Sequence, residues 1–210
     1  MKNKLLIFFK TLLISLILIS CSDTNKLENV NKILLFGDSL MSGYGLKENQ
    51  TLSIILENDL KEAGYNIKII NGSVSGDTSQ DGLDRIDEYT TDSDIDLIIL
   101  GLGANDMLRR INPDQTENNL RKIVEIIKNK NIKIILAGMK ASPTNGLAYK
   151  KEFDGIFPKL AKEYDLNLIP FLLKKVALTP KFNQSDGIHP NYEGAKVISE
   201  TIKESIINLD

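Results

Sequence analysis

Apolar and polar positions alternate along this chain in blocks. Five short apolar runs, at residues 32–36, 65–70, 96–100, 132–137 and 166–169, have the length and flanking residues of strands. Between and after them lie longer stretches with apolar residues at helical spacing, at 50–63, 79–89, 114–130, 148–164 and 191–208. In the third of these, Leu120, Ile123, Val124 and Ile127 share one face. Gly64 follows the first, where a left-handed residue commonly ends a helix. Strands alternating with helices predict an α/β fold, a three-layer α/β/α sandwich around a five-stranded parallel sheet. Right-handed crossovers make a flavodoxin-like strand order the first expectation. The chain has no internal repeat and no room for a second domain.

In such a sheet every β-to-α connection opens on the carboxyl edge, where ligands bind. The connections after strands one, two, three and five carry Ser39, Gly76, Asn105, and Asp186 with His189 to that edge. Ser39 sits where an apolar strand breaks abruptly into Gly37-Asp38-Ser39-Leu40. Alone it is as readily a polar turn residue as a nucleophile. His189 is the single histidine. Asp186, three residues back across a glycine, can take its Nδ1 proton, fix the tautomer and stabilise the imidazolium formed when Nε2 takes a proton from serine. The bland alternative is that Asp186 only caps the closing helix. A serine attacking a carbonyl also needs donors for the developing oxyanion. The Ser39 N–H, the Gly76 N–H and the Asn105 amide suit that task, although Gly76 or Asn105 singly is ordinary turn chemistry.

Composition adds limits. With 42% apolar and 26% charged residues in 210, the chain has the balance of one globular domain. The first 20 residues stand apart: Lys2, Lys4 and Lys10 precede an apolar run at 11–19 that is too short to span a bilayer well, and the segment reads as an export signal. Its ending, Leu18-Ile19-Ser20-Cys21, resembles the lipobox of bacterial lipoproteins, which implies cleavage before Cys21, lipidation of Cys21 and a membrane-anchored, exported protein. Residues 21–31 then read as a polar tether and 32–210 as the domain. Loss of the signal removes three lysines and no acid, so the net charge falls from −2 to −5, which is not a nucleic-acid binder's balance. With Cys21 the only cysteine, no disulfide can form within the chain.

Four blocks now stand in order: Gly37-Asp38-Ser39-Leu40; Ser75-Gly76-Asp77-Thr78-Ser79; Gly103-Ala104-Asn105-Asp106; and Asp186-Gly187-Ile188-His189-Pro190. Their order and spacing resemble the SGNH (GDSL-type) hydrolase family, over roughly residues 32–207. Within it the chain is most similar to the bacterial esterases that act as thioesterases, arylesterases and lysophospholipases. Further shared stretches are 75–80, 113–120 and 158–163. The resemblance implies Ser39 as nucleophile, His189 as base, Asp186 as its orienting acid, and Ser39, Gly76 and Asn105 as the oxyanion hole. It also implies an acyl ester or lysophospholipid substrate. Two departures stand out. The family's third block often reads Gly-Gly-Asn-Asp, where this chain has Ala104. Close relatives also carry glycines in the following loop, which lines the family's acyl site, where this chain has Met107 and Arg110.

Other motifs fail. No Lys-Ser/Thr follows Gly43, so there is no P-loop, and Gly101-Leu102-Gly103 lacks the third glycine of a dinucleotide site. Gly37–Met41 lacks the second glycine of the α/β-hydrolase elbow. One histidine and one cysteine make a zinc site unexpected. Neither a metal nor a cofactor is expected, and the chain is expected to act as a monomer. Leu40, Met107, Leu108, Ile111, Pro143, Leu147 and Phe182 lie near the rim and are candidates to line an acyl groove. The leading expectation is hydrolysis of acyl esters and thioesters through an acyl-serine. Deacetylation of cell-envelope carbohydrate and a non-enzymatic ligand-binding lipoprotein are the alternatives. The last requires the Ser39–His189–Asp186 geometry to be broken.

Overall fold

A computed structural model describes residues 27, 29–91 and 94–209. The expected signal segment, the lipobox with Cys21 and most of the tether therefore lie outside the described residues. Five strands form one parallel sheet: β1 (Lys32–Gly37), β2 (Lys68–Asn71), β3 (Leu97–Gly101), β4 (Lys133–Ala137) and β5 (Asn167–Ile169). Their order, β2-β1-β3-β4-β5, is the flavodoxin-like one. The helices are α1 (Ser39–Ser42), α2 (Leu52–Glu62), α3 (Ser79–Arg85), α4 (Asp87–Thr90), α5 (Ala104–Leu108), α6 (Pro113–Asn129), α7 (Leu147–Tyr164) and α8 (Tyr192–Ile207).

The strands are apolar on both sides because both sides are covered. Leu34, Phe36, Ile98, Leu100, Ile134 and Leu136 pack against α6 and α7. The alternate residues Ile33, Leu35, Leu97, Ile99 and Ile135 pack against α2 and α8. Leu27 and Val30 are buried in that second layer, so the core begins ahead of β1. The Asp96 carboxylate accepts the N–H groups of Asn31 and Lys32 and fixes where the chain enters the sheet.

Several boundaries differ from expectation. The second strand starts at Lys68 rather than 65, because Tyr65 N–H closes the end of α2 on Leu60 O. The helix expected over 79–89 divides into α3 and α4, with a tighter turn where Tyr89 N–H bonds Ile86 O. The connections after β1 and β3, read as loops, each contain a short helix, α1 and α5. The sharp turn into α1 depends on two glycines. A Cβ on Gly37 would lie 2.6 Å from Gly101 O, and one on Gly101 would overlap the Met41 side chain that fills the space between them.

α1 is capped by Asp38, whose Oδ1 accepts the Leu40 N–H at 3.0 Å. Asp38 is fully buried and, among the described residues, its Oδ2 has no hydrogen-bond partner. Burial pushes its carboxyl from the ordinary 3.8 to about 7; the Leu40 N–H opposes this, and the nearby charges of Asp106 and Asp77 add to it. Across that window the folded protein holds a proton that the unfolded chain has released. The group's contribution to stability therefore falls as pH rises from about 4 to 7. Asp38→Asn keeps the cap acceptor without the charge. It is expected to melt above the wild type at pH 8 and close to it at pH 4.5. An equal change in melting temperature at both pH values would mean the charge is not responsible.

Candidate active site

Ser39 is the first residue of α1, at the carboxyl end of β1. Its Oγ lies 3.0 Å from His189 Nε2, across 150 residues of sequence. His189 Nδ1 lies 2.6 Å from Asp186 Oδ2. The loop around these two folds onto Asp186, whose Oδ1 accepts the N–H of Ile188 (2.9 Å) and of His189 (3.0 Å). With His189 as its first partner and those two N–H groups as the next, the Asp186 carboxyl is held down to about 2. It is therefore ionised at any pH where an esterase is assayed, and its partner at Nδ1 is held in the donor tautomer. This is a hydrogen-bonded relay from carboxylate to imidazole to hydroxyl, able to draw a proton off Ser39.

The Gly76 turn is tied to the same place from several sides. Val74 N–H bonds Gly37 O at 3.1 Å, and the hydroxyls of Ser42 and Ser75 meet at 2.8 Å. Asn105, in the first turn of α5, donates one amide N–H to Asp77 O at 2.9 Å, and among the described residues its second amide N–H has no acceptor. Among the described residues, the N–H groups of Ser39 and Gly76 have no acceptor. Three donors are thus brought to the rim beside Ser39, an arrangement suited to a tetrahedral oxyanion.

Sequence reasoning passed over the side chains that hold this turn. Arg85 Nε pairs with Asp77 Oδ2 at 2.6 Å, and its two Nη atoms donate to Gly72 O (2.5 Å) and Gly37 O (3.2 Å). Its guanidinium lies 4.0 Å from the centre of the Phe36 ring. Arg109 Nη2 donates to Gly76 O at 2.9 Å. Neither arginine has a motif signal; each bonds backbone carbonyls, which carry no mark in the sequence. Asp106 stands beside Asn105 within a recognised block, yet only the fold reveals its partners, Ser79 and Thr116.

The acyl-groove candidates separate. Leu40 is buried in the core, so it is withdrawn from any groove: the Asp38 cap turns α1 inward at that residue. Phe182 packs onto the layer formed by α2 and α8. Met107 is half-buried against the opposite layer, and Ile111 is half-buried beside it. Leu108, Pro143 and Leu147 are exposed. Among the described residues no group of acidic, histidine or cysteine side chains is arranged to hold a metal.

The chain is similar to known proteins in sequence and in fold. The profile of the GDSL-like Lipase/Acylhydrolase family matches residues 35–197. An arylesterase of Vibrio mimicus is 33% identical over 195 residues, covering 93% of this chain and 97% of that protein. The thioesterase 1/protease 1/lysophospholipase L1 of Escherichia coli strain K12 is 36% identical over 174 residues, 83% of this chain and 82% of the relative. Among solved structures, TesA superposes with a TM-score of 0.80 at 30% identity, covering 84% of this chain and 98% of its own. AlinE4, an SGNH-hydrolase family esterase, gives 0.71 at 42% identity over 86% and 97%. A match across most of the domain, with the four blocks gathered on one rim, means that the chain belongs to the GDSL-like lipase/acylhydrolase family.

Proposed function

We propose that Ser39 is the nucleophile of an ester hydrolase, His189 its general base and Asp186 the acid that orients the base. The 3.0 Å approach of Ser39 Oγ to His189 Nε2, backed by Asp186, carries this reading. His189 takes the Ser39 proton as Oγ attacks the acyl carbonyl. The oxyanion is received by the N–H groups of Ser39 and Gly76 and by the free amide N–H of Asn105. His189 then returns the proton to the leaving alcohol or thiol. Water, deprotonated by the same imidazole, releases the acid from the acyl-serine. The relay is complete within one chain, and the protein acts as a monomer.

The substrates are acyl esters and thioesters, and we infer that the acyl groups are of medium or long chain, as in lysophospholipids. Eight large apolar residues are exposed among those described. Six of them, Val74, Leu108, Leu147, Leu178, Ile188 and Tyr192, lie in β-to-α connections or open the helix that follows, on the rim that carries Ser39, while Tyr44 lies against the His189 ring. Apolar surface gathered around a catalytic serine suits an acyl chain better than a sugar. Carbohydrate deacetylation is not favoured, since the curated relatives above bear arylesterase, thioesterase and lysophospholipase names. We further propose that Cys21 carries the lipid anchor of an exported protein. Leu27 and Val30 pack at the edge where β1 begins, so an anchor there joins the domain opposite Ser39.

The form beginning at Ser22 is expected to hydrolyse p-nitrophenyl esters best at medium or long acyl chains, and Ser39→Ala to lose at least about a thousandfold in turnover. Activity on acetate alone would point instead to a small acetyl pocket. Asn105→Ala should lower kcat by about 10²–10³ with little change in KM, as loss of one oxyanion donor does. A change confined to KM would remove it from that role. Finally, Cys21→Ser should move the full-length protein from membrane to soluble fractions and abolish labelling by a fatty-acid probe. Labelling that persists would rule out this anchor.

A further inference from the structure

His189 is held at its two ring nitrogens, but an imidazole can still swing about the line joining them. The structure supplies a third restraint, from the loop that follows the nucleophile. The Tyr44 ring lies against the His189 ring, with centroids 4.5 Å apart and planes at 41°. Tyr44 itself is fixed from the other side. Gln184 Nε2 donates to Tyr44 O at 2.8 Å and to Pro190 O at 2.9 Å. The Gln184 backbone closes the same loop, its N–H bonding His189 O at 2.8 Å and its O accepting Gly187 N–H at 3.0 Å. One residue thus braces the loop bearing acid and base, and reaches across 140 positions to the loop bearing the nucleophile. Gly45, at φ +73°, completes the fit: a Cβ there would overlap Gln184 Oε1.

We propose that Gln184 and Tyr44 form a latch that positions His189 against Ser39, Gln184 by setting the loop and Tyr44 by covering the imidazole face. This rests on His189 being the base. Tyr44 has a second consequence. An aromatic ring within about 6 Å attracts a cation, so it favours the imidazolium that exists only while Ser39 is attacking or leaving. Both contributions act on the chemical steps and not on ester binding. They therefore belong in kcat rather than KM.

The test uses a short soluble ester, p-nitrophenyl butyrate, with the full mature chain. His189→Ala must abolish turnover; if it does not, the base assignment and the latch fall together. Gln184→Leu and Tyr44→Leu are each expected to lower kcat by about tenfold or more, since misplacement of a reacting group by a fraction of an ångström is costly. KM should stay within about twofold in both. Tyr44→Phe, which keeps the ring, should retain wild-type kcat. The double variant should lose less than the product of the two single losses, because both residues act through the same imidazole. Inactivation by a serine-reactive phosphonate should slow in parallel with kcat, which a shift in ester binding would not produce. Gln184→Met preserves the volume and guards against an unfolded Leu variant, with melting curves as the check. The proposal is overturned if losses appear in KM with kcat intact, if the double variant shows additive losses, or if Tyr44→Phe is as slow as Tyr44→Leu.

Discussion

Much of this site hangs on the Asp106 carboxylate, which lies beneath the surface. It is fully buried, and it takes the N–H and hydroxyl of Ser79 together with the hydroxyl of Thr116. Asn119 then donates to the Ser79 oxygen. Donors from α3 and α6 thus converge on a charge carried by α5. An uncompensated carboxylate at this depth would cost several kcal/mol, roughly the magnitude lost when one partner of a buried pair is removed. Any state in which those helices drift apart is penalised accordingly. Asn105 is the neighbour of Asp106, and the turn containing Gly76 runs directly into α3. The spacing of two proposed oxyanion donors is therefore set by a polar network below them.

The same logic recurs closer to the nucleophile. β1 and β3 leave the sheet side by side, with Gly37 paired to Gly101, and Met41 fills the space that two absent side chains leave. Arg85 then ties the exits of β1 and β2 together through the carbonyls of Gly37 and Gly72 and the Asp77 carboxylate. Stacked on Phe36, its charge is desolvated on one face and bonded through each of its three nitrogens in its plane. The catalytic groups come from separate loops, but each loop is bonded to its neighbour before any substrate arrives. That is the preorganisation oxyanion chemistry needs, since donors already in place cost no reorganisation when charge develops.

The sequence made the architecture readable because both faces of the sheet are buried. Continuous apolar runs such as 97–100 and 134–137 announce a parallel strand without ambiguity of face. The rim residues were readable because topology sends all β-to-α connections to one edge. What stayed hidden depends on three-dimensional bonding to backbone. Arg85, Arg109 and Gln184 act on carbonyl oxygens, and a carbonyl looks the same at every position in a sequence. Leu40 misled for a related reason. Its place beside Ser39 suggested a wall of the acyl site, but a buried Asp38 cap turns that residue into the core. Residues 65–67 read as strand by composition, and it was the closing bond of α2 onto Leu60 that decided otherwise.

The loop after α5 shows how this chain departs from its relatives without losing the chemistry. Met107 and Arg110 stand where the resemblance leads one to expect glycine. Arg110 nevertheless keeps a left-handed backbone, with φ 53°, a conformation that costs a residue with a Cβ about 1 kcal/mol. Three bonds then join the loop to the connection after β4 and the first turn of α7: Asn145 donates to Met107 O at 2.8 Å, Tyr149 to Ile111 O at 3.0 Å, and Arg110 Nη2 to Thr144 O at 3.3 Å. The backbone path is thus one a glycine loop would follow, but side chains pin it to its neighbour. Such a loop is held in one shape, with Met107 packed against the core and Leu108 exposed. Under the proposed reading, this loop is therefore where selectivity would change while the proposed relay and oxyanion donors, tied down by Asp106 and Arg85, remain where they are.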